Sequence, residues 1–108
     1  MCAAGCEVNW RSPSYLKSAR GQECQVRIDG ICNDNPETVV AAHSNQYIHG
    51  KGGALKAHDI FTAWACSDCH RELDASSKLT YEEKNLIWQR GFERTLLAAL
   101  EQGILRVK

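Results

Sequence analysis

Six cysteines and four histidines carry most of the chemistry available to this 108-residue chain. Seven residues separate Cys24 from Cys32, and two separate Cys66 from Cys69. Zinc in structural sites takes four thiolate or imidazole ligands tetrahedrally, at Zn–S distances near ~2.3 Å. A two-residue gap lets both sulfurs of a pair face one ion. A turn between Cys24 and Cys32 would close the wider pair on the same point. Cys24, Cys32, Cys66 and Cys69 are therefore read as ligands of a structural Zn2+, against the plainer alternative of four buried thiols without an ion. Cys2 and Cys6 make another close pair, on an N-terminal arm without periodicity, and are read as uninvolved.

Two other chemistries share part of this pattern. Cys66-Ser67-Asp68-Cys69-His70 spells C-x-x-C-H, the attachment signature of c-type haem. Such attachment goes with export, and the one methionine is Met1, which leaves none suited to an axial position. Trp64 ahead of the Cys66/Cys69 pair suggests a thioredoxin-like redox site instead. That site needs a lowered thiol pKa at a helix start, usually within a βαβ unit. The chain lacks the alternating strand–helix pattern and has a second cysteine pair to explain.

The elements that must position these groups are legible in outline. Ser12-Pro13 marks a helix start, with Ser12 as N-cap and Gly21 as the stop after Arg20. Cys24 to Ile28 alternates like a strand, and Asp29-Gly30 is a hairpin signal. Thr38 to His43 is an apolar, β-branched strand candidate ending in a histidine. Residues 44–58 contain Gly50, Gly52, Gly53, Lys51 and Lys56 and no acid, and read as a long basic loop. Ile60 to Ala65 is a second strand candidate, and Cys66 to Asp74 turns into a helix. Thr80 and Glu83 fit a capping box. The helix it opens carries Trp88, Phe92, Leu96, Ala99 and Leu100 as a core-facing stripe. Gly103 ends that helix, and Ile104 to Val107 is read as a closing edge strand.

Strand, loop, strand, then a helix opening on a zinc knuckle and a histidine is the outline of an HNH, or ββα-metal, nuclease site. Phosphodiester hydrolysis needs a base to activate water and a divalent cation to neutralise charge on the scissile phosphate and leaving oxygen. Neutral histidine suits the first role. A histidine with a carboxylate suits the second.

Several segments together resemble the YbcO-like family of prophage-encoded nucleases. They are Ala19 to Ile28, Cys32-Asn33, Pro36 to Val40, Ala42-His43, Ala63 to His70 and Gly103 to Arg106, so the resemblance spans about residues 12–108. It implies an α+β fold, a small zinc-bound HNH-like ββα-metal domain with flanking helices, and an endonuclease role on DNA in phage or prophage metabolism. Carried over, His43 is the general base, and His70 binds a catalytic Mg2+ or another divalent cation. Two positions depart from the general HNH pattern. Ala42 stands where many members place an aspartate, and the middle asparagine has no clear counterpart in the second strand. Asp59 is the nearest polar candidate and is read as the missing carboxylate ligand. His49 and His58 are read as solvated loop histidines.

Composition bounds the partners. At 44% apolar and 24% charged the chain is an ordinary globular sequence, organised as a loose arm over 1–11 and one domain over 12–108. Thirteen basic and thirteen acidic side chains cancel, so an anionic partner must meet a local patch. One candidate patch holds Arg11, Lys17, Arg20 and Arg27. Another holds Lys51 and Lys56, beside glycines that would let backbone amides approach a phosphate. Arg71, one residue past His70, could orient a phosphate or make a surface ion pair. No apolar run approaches a membrane span, no secretory signal is visible, and no small-molecule cofactor is expected, so a cytoplasmic location is expected. The competing function is a non-catalytic zinc-binding adaptor for nucleic acid or protein on the same fold, favoured by Ala42 and the neutral charge.

Overall fold

A computed structural model describes residues 9–52 and 55–107. Cys2, Cys6, most of the expected N-terminal arm and Gly53 lie outside the described residues. The elements run, in chain order, α1 (Pro13–Lys17), a 3-10 turn η1 (Pro36–Thr38), β1 (Val40–His43), a second 3-10 turn η2 (Tyr47–His49), β2 (Thr62–Ala65), α2 (Ser67–Ala75) and α3 (Tyr81–Glu101). β1 and β2 form a two-stranded antiparallel sheet, with Val40 opposite Ala65 and His43 opposite Thr62. The expected α+β organisation is present, with both strand candidates shortened at their N-terminal ends.

The core is built on β2. All four of its residues are buried, because the sheet is covered by α3 on one side and its outer edge is sealed. That edge belongs to Trp64. Its N–H donates to Thr95 Oγ1 of α3 at 2.9 Å, and its carbonyl accepts from Gln25 N–H at 2.7 Å and Val26 N–H at 3.3 Å. An unpaired strand edge inside a core would leave those groups unsatisfied. Trp88 of α3 reaches the other strand, its Nε1–H donating to Ala42 O at 2.9 Å. Trp88 and Phe92 stack at 5.0 Å. Gly91 lets this helix approach residues 25–26. A Cβ there would lie 2.8 Å from Val26 Cγ2.

Two strand expectations are corrected. Residues 24–28 form no strand. Their amides are used to wrap the sulfur cluster and to seal β2, and Arg27 adopts a left-handed φ of 52°, which breaks any ladder. The expected turn does form, with Cys32 N–H donating to Ile28 O at 2.9 Å. Residues 104–107 form no edge strand either. Gly103 (φ 76°) closes α3 in a Schellman-type cap, with Gly103 N–H on Leu100 O at 3.1 Å and Ile104 N–H on Ala99 O at 2.9 Å. These bonds turn the chain back over the end of the helix and leave no straight segment to pair.

The last three residues of the expected arm are not loose. Asn9 Nδ2 donates to Gly50 O and Lys56 O, both at 2.8 Å. Trp10 N–H donates to His58 Nδ1 at 2.8 Å, and the Arg11 guanidinium reaches Lys56 O and Asp59. This stretch ties down the long segment between β1 and β2. Among the described residues, no helix is long and apolar enough to cross a membrane.

Candidate metal centre and catalytic cleft

The sulfurs of Cys24, Cys32, Cys66 and Cys69 all lie within 4.8 Å of one another. Cys66 and Cys69 belong to α2, with Cys66 as its N-cap, while Cys24 and Cys32 arrive from either side of the turn at residues 28–31. Cys66 Sγ and Cys32 Sγ are 3.9 Å apart, close to the ~3.8 Å edge of a tetrahedron with ~2.3 Å Zn–S arms.

The surrounding backbone is arranged for negative sulfur. Cys24 Sγ accepts from Cys66 N–H at 3.2 Å and Arg27 N–H at 3.5 Å. Cys66 Sγ accepts from Cys69 N–H at 3.4 Å and Asn33 N–H at 3.5 Å, and Cys69 Sγ accepts from Ile28 N–H at 3.4 Å. Without a cation Cys24, Cys32 and Cys69 compete for charge. A hydrogen bond from Cys69 favours the thiolate at Cys24, while burial pushes Cys32 up and the Cys24 hydrogen bond and burial push Cys69 up. A divalent ion is what would let all four carry charge together. The donor set, its compactness and its amide cradle fit Zn2+. Among the described residues no other group of three or more His, Cys, Asp or Glu ligand atoms is this compact.

Alongside β1 lies an open cleft of about 990 Å³, bordered by α1, β1, the β1–β2 connection and α2. His43, the last residue of β1, faces it, as does His70 from the first turns of α2. Both also line a small recess beside the cleft with Asn45, Asp74 and Trp88. His43 Nε2 lies 2.8 Å from Asp59 Oδ1. Asp59 is 2% exposed, and its Oδ2 accepts the backbone N–H of Ser12 at 2.7 Å while Oδ1 also takes Arg11 Nη1 at 3.1 Å. Burial would raise this carboxyl, but the bonds from His43, Ser12 and Arg11 outweigh it and hold the group below the ordinary value. An ionised carboxylate only accepts, so Nε2 of His43 carries the proton in this contact, and in the neutral ring the lone pair is then on Nδ1.

His70 Nε2 pairs with Asp74 Oδ2 at 3.2 Å, one helical turn away. The spacing of four residues on an expected helix was the signal available for Asp74, which sequence reasoning passed over. Asp59, His43 and His70 do not form a compact three-ligand group. Lys51 and Lys56 line the cleft, joined there by Lys17 and Arg20. The two basic stretches of the sequence thus meet in one place. Arg11 and Arg27 do not join them. Nor does Arg71, whose Nη1 pairs with Asp68 Oδ1 at 3.2 Å. Glu37 and Asp74 are the acids on the cleft wall.

The remaining two histidines are packed rather than solvated. His49 stacks on Phe61 at 4.4 Å, and its Nδ1 lies 2.6 Å from the Ser44 hydroxyl. Burial lowers its pKa, which favours the neutral ring. His58 accepts from Trp10 N–H.

Fold and site together define a small α+β protein with a four-cysteine cluster that could hold a metal ion at the root of a helix, and a cationic, histidine-bearing cleft beside it. The chain belongs to the YbcO family, described as "Putative nuclease YbcO", which matches residues 14–104. It is 39% identical over 94 residues to "Putative nuclease YbcO" of Escherichia coli (strain K12), covering 83% of this chain and 94% of that protein. The same figures hold for "Putative nuclease ybcO" of Enterobacteria phage 82. A solved structure, "Structure of a putative bacteriophage protein from Escherichia coli str. K-12 substr. MG1655", superposes with a TM-score of 0.64 at 38% identity, covering 82% of this chain and 99% of that one.

Proposed function

We propose that this protein is a metal-dependent endonuclease of the HNH type that hydrolyses DNA phosphodiester bonds in phage or prophage DNA metabolism. The observation that carries the reading is the His43–Asp59 pair, anchored at 2.8 Å by a buried carboxylate and set on the wall of a cleft with four cationic side chains. The names carried by its relatives, and the order β1, β2, α2 with a cysteine cluster at the helix start, support it.

Asp59 holds the His43 ring in one tautomer and stabilises the imidazolium that forms when Nδ1 takes a proton from water. Lys17, Arg20, Lys51 and Lys56 hold the phosphate backbone. His70 and Asp74 are the pair placed to hold a divalent cation such as Mg2+, which supplies charge neutralisation at the phosphate and leaving oxygen. Asp59, expected as a ligand of that ion, acts here through His43 instead, because its oxygens already accept three hydrogen bonds. Zn2+ on the four cysteines would tie residues 24–32 to α2 and would take no part in the reaction.

The test is incubation of the zinc-loaded protein with supercoiled and single-stranded DNA plus Mg2+ or Mn2+, beside His43→Ala. Metal-dependent nicking should fall by about a hundred-fold or more in the variant, the loss typical for a general base. DNA binding without nicking, the same in both proteins, would instead assign the chain as a zinc-bound adaptor.

A further inference from the structure

Tyr47 and Ile48 are 88% and 81% exposed, a degree of exposure matched among large apolar side chains of the described residues only by Val107. They form the tip of η2, in the connection that supplies Ser44, Asn45 and Lys51 to the cleft wall. The base of this turn is firmly held. His49 stacks on Phe61 at 4.4 Å and bonds Ser44 at 2.6 Å. Gly50 closes the turn at φ 95°, where a Cβ would lie 2.7 Å from Asn9 Nδ2. A turn fixed from beneath, carrying an aromatic and a branched apolar side chain outward at the edge of a cationic cleft, presents two flat or compact apolar surfaces to whatever lies there.

We infer that Tyr47 and Ile48 stack on an unpaired base of a DNA strand whose backbone runs through the cleft, which makes single-stranded or locally opened DNA the preferred substrate class over continuous duplex. The inference rests on the nucleic-acid reading of the cleft. The charge supplied by Lys17, Arg20, Lys51 and Lys56 suits phosphate and is indifferent to pairing. The apolar tip is what discriminates. Bases in a duplex are already stacked on both faces and must be unstacked at a cost, whereas an unpaired base offers a free π-face.

The experiment uses the full zinc-loaded chain and fluorescence anisotropy, with a labelled single-stranded oligonucleotide and its matched duplex. The wild type should bind the single strand more tightly. Tyr47→Ala/Ile48→Ala should lose about ten-fold or more on the single strand and little on the duplex, with an unchanged melting temperature, because both side chains face solvent. Tyr47→Trp should retain binding, and a fluorescent adenine analogue in the strand should report stacking that the double variant abolishes. Equal losses on both DNA forms, or none on either, would overturn the inference. So would a dimer in sedimentation that the double variant dissociates, which would assign the tip to a second copy. Lys17→Glu/Arg20→Glu separates the two readings. If it abolishes binding while the tip variant binds normally, stacking alone fails. If the wild type binds neither DNA form, both readings fail.

Discussion

His43 Nε2 sits 2.8 Å from Asp59 Oδ1, across most of the connection between β1 and β2. Neither residue is positioned by the other alone. His43 is fixed at the end of a strand, and Asp59 is fixed by the Ser12 N–H that precedes α1 and by Arg11. The pair therefore links the helix start, the connection and the sheet, and its loss should be felt in stability as well as in any catalysis.

Asp59→Asn should destabilise the protein at neutral pH by about 1–3 kcal/mol, since a buried charge-assisted set of three hydrogen bonds is weakened. The pH dependence has a defined sign. The folded carboxyl titrates below its unfolded value, so its stabilisation is present above about pH 4 and is lost as pH falls through the folded value. Urea midpoints of wild type and variant should differ at pH ~7 and draw together as pH falls below about 4. Acid also releases zinc by protonating the thiolates, so metal content is measured at each pH and only zinc-loaded points are compared. A gap that stays constant into acid would contradict this.

The native protein should bind one Zn2+ per chain by elemental analysis. Cys69→Ser, or a strong chelator, should unfold much of the domain, because metal binding free energy at such a site is folding free energy. Circular dichroism melts with and without chelator provide the check. Cys2→Ser/Cys6→Ser should retain its zinc and its melting temperature.

Gly91→Ala places a methyl 2.8 Å from Val26 Cγ2 and 3.0 Å from Val26 Cα. Alanine favours helix, so propensity alone predicts a gain. The contact with backbone at Val26 should win, pushing α3 off the segment that seals β2 at a cost of about 1–3 kcal/mol. The expected signature is a melting temperature lower by about 4–8 °C per kcal/mol.

Removing phosphate contacts should change the salt dependence of DNA binding by a countable amount. Lys17→Ala/Arg20→Ala is expected to reduce the slope of log K against log salt by about 0.9 per lost contact on duplex and about 0.7 on single strands. Arg71→Ala should leave the slope unchanged, because that side chain is paired with Asp68 away from the cleft.

Much of this was legible from residue types and order. Two cysteine pairs suit one tetrahedral ion whatever the intervening fold, so the cluster of Cys24, Cys32, Cys66 and Cys69 followed from ligand chemistry. The capping box at Thr80 and Glu83 formed as expected, with both of its hydrogen bonds present, because its geometry is local. Periodicity placed β1, β2 and α3 for the same reason. It failed at residues 24–28 and 104–107, where alternating apolar residues served a sulfur cradle and a helix cap. Pattern alone does not distinguish these uses from a strand.

Tertiary structure alone decided which charges meet. That Asp59 belongs to His43, and that Lys17 and Arg20 share a cleft with Lys51 and Lys56, depend on how α1, the connection and α2 pack around a two-stranded sheet. Residue identity fixes what a side chain can do, and local sequence fixes the element it rides on. Distances between side chains remote in sequence arise only from packing, and hydrogen bonds and electrostatics depend on those distances.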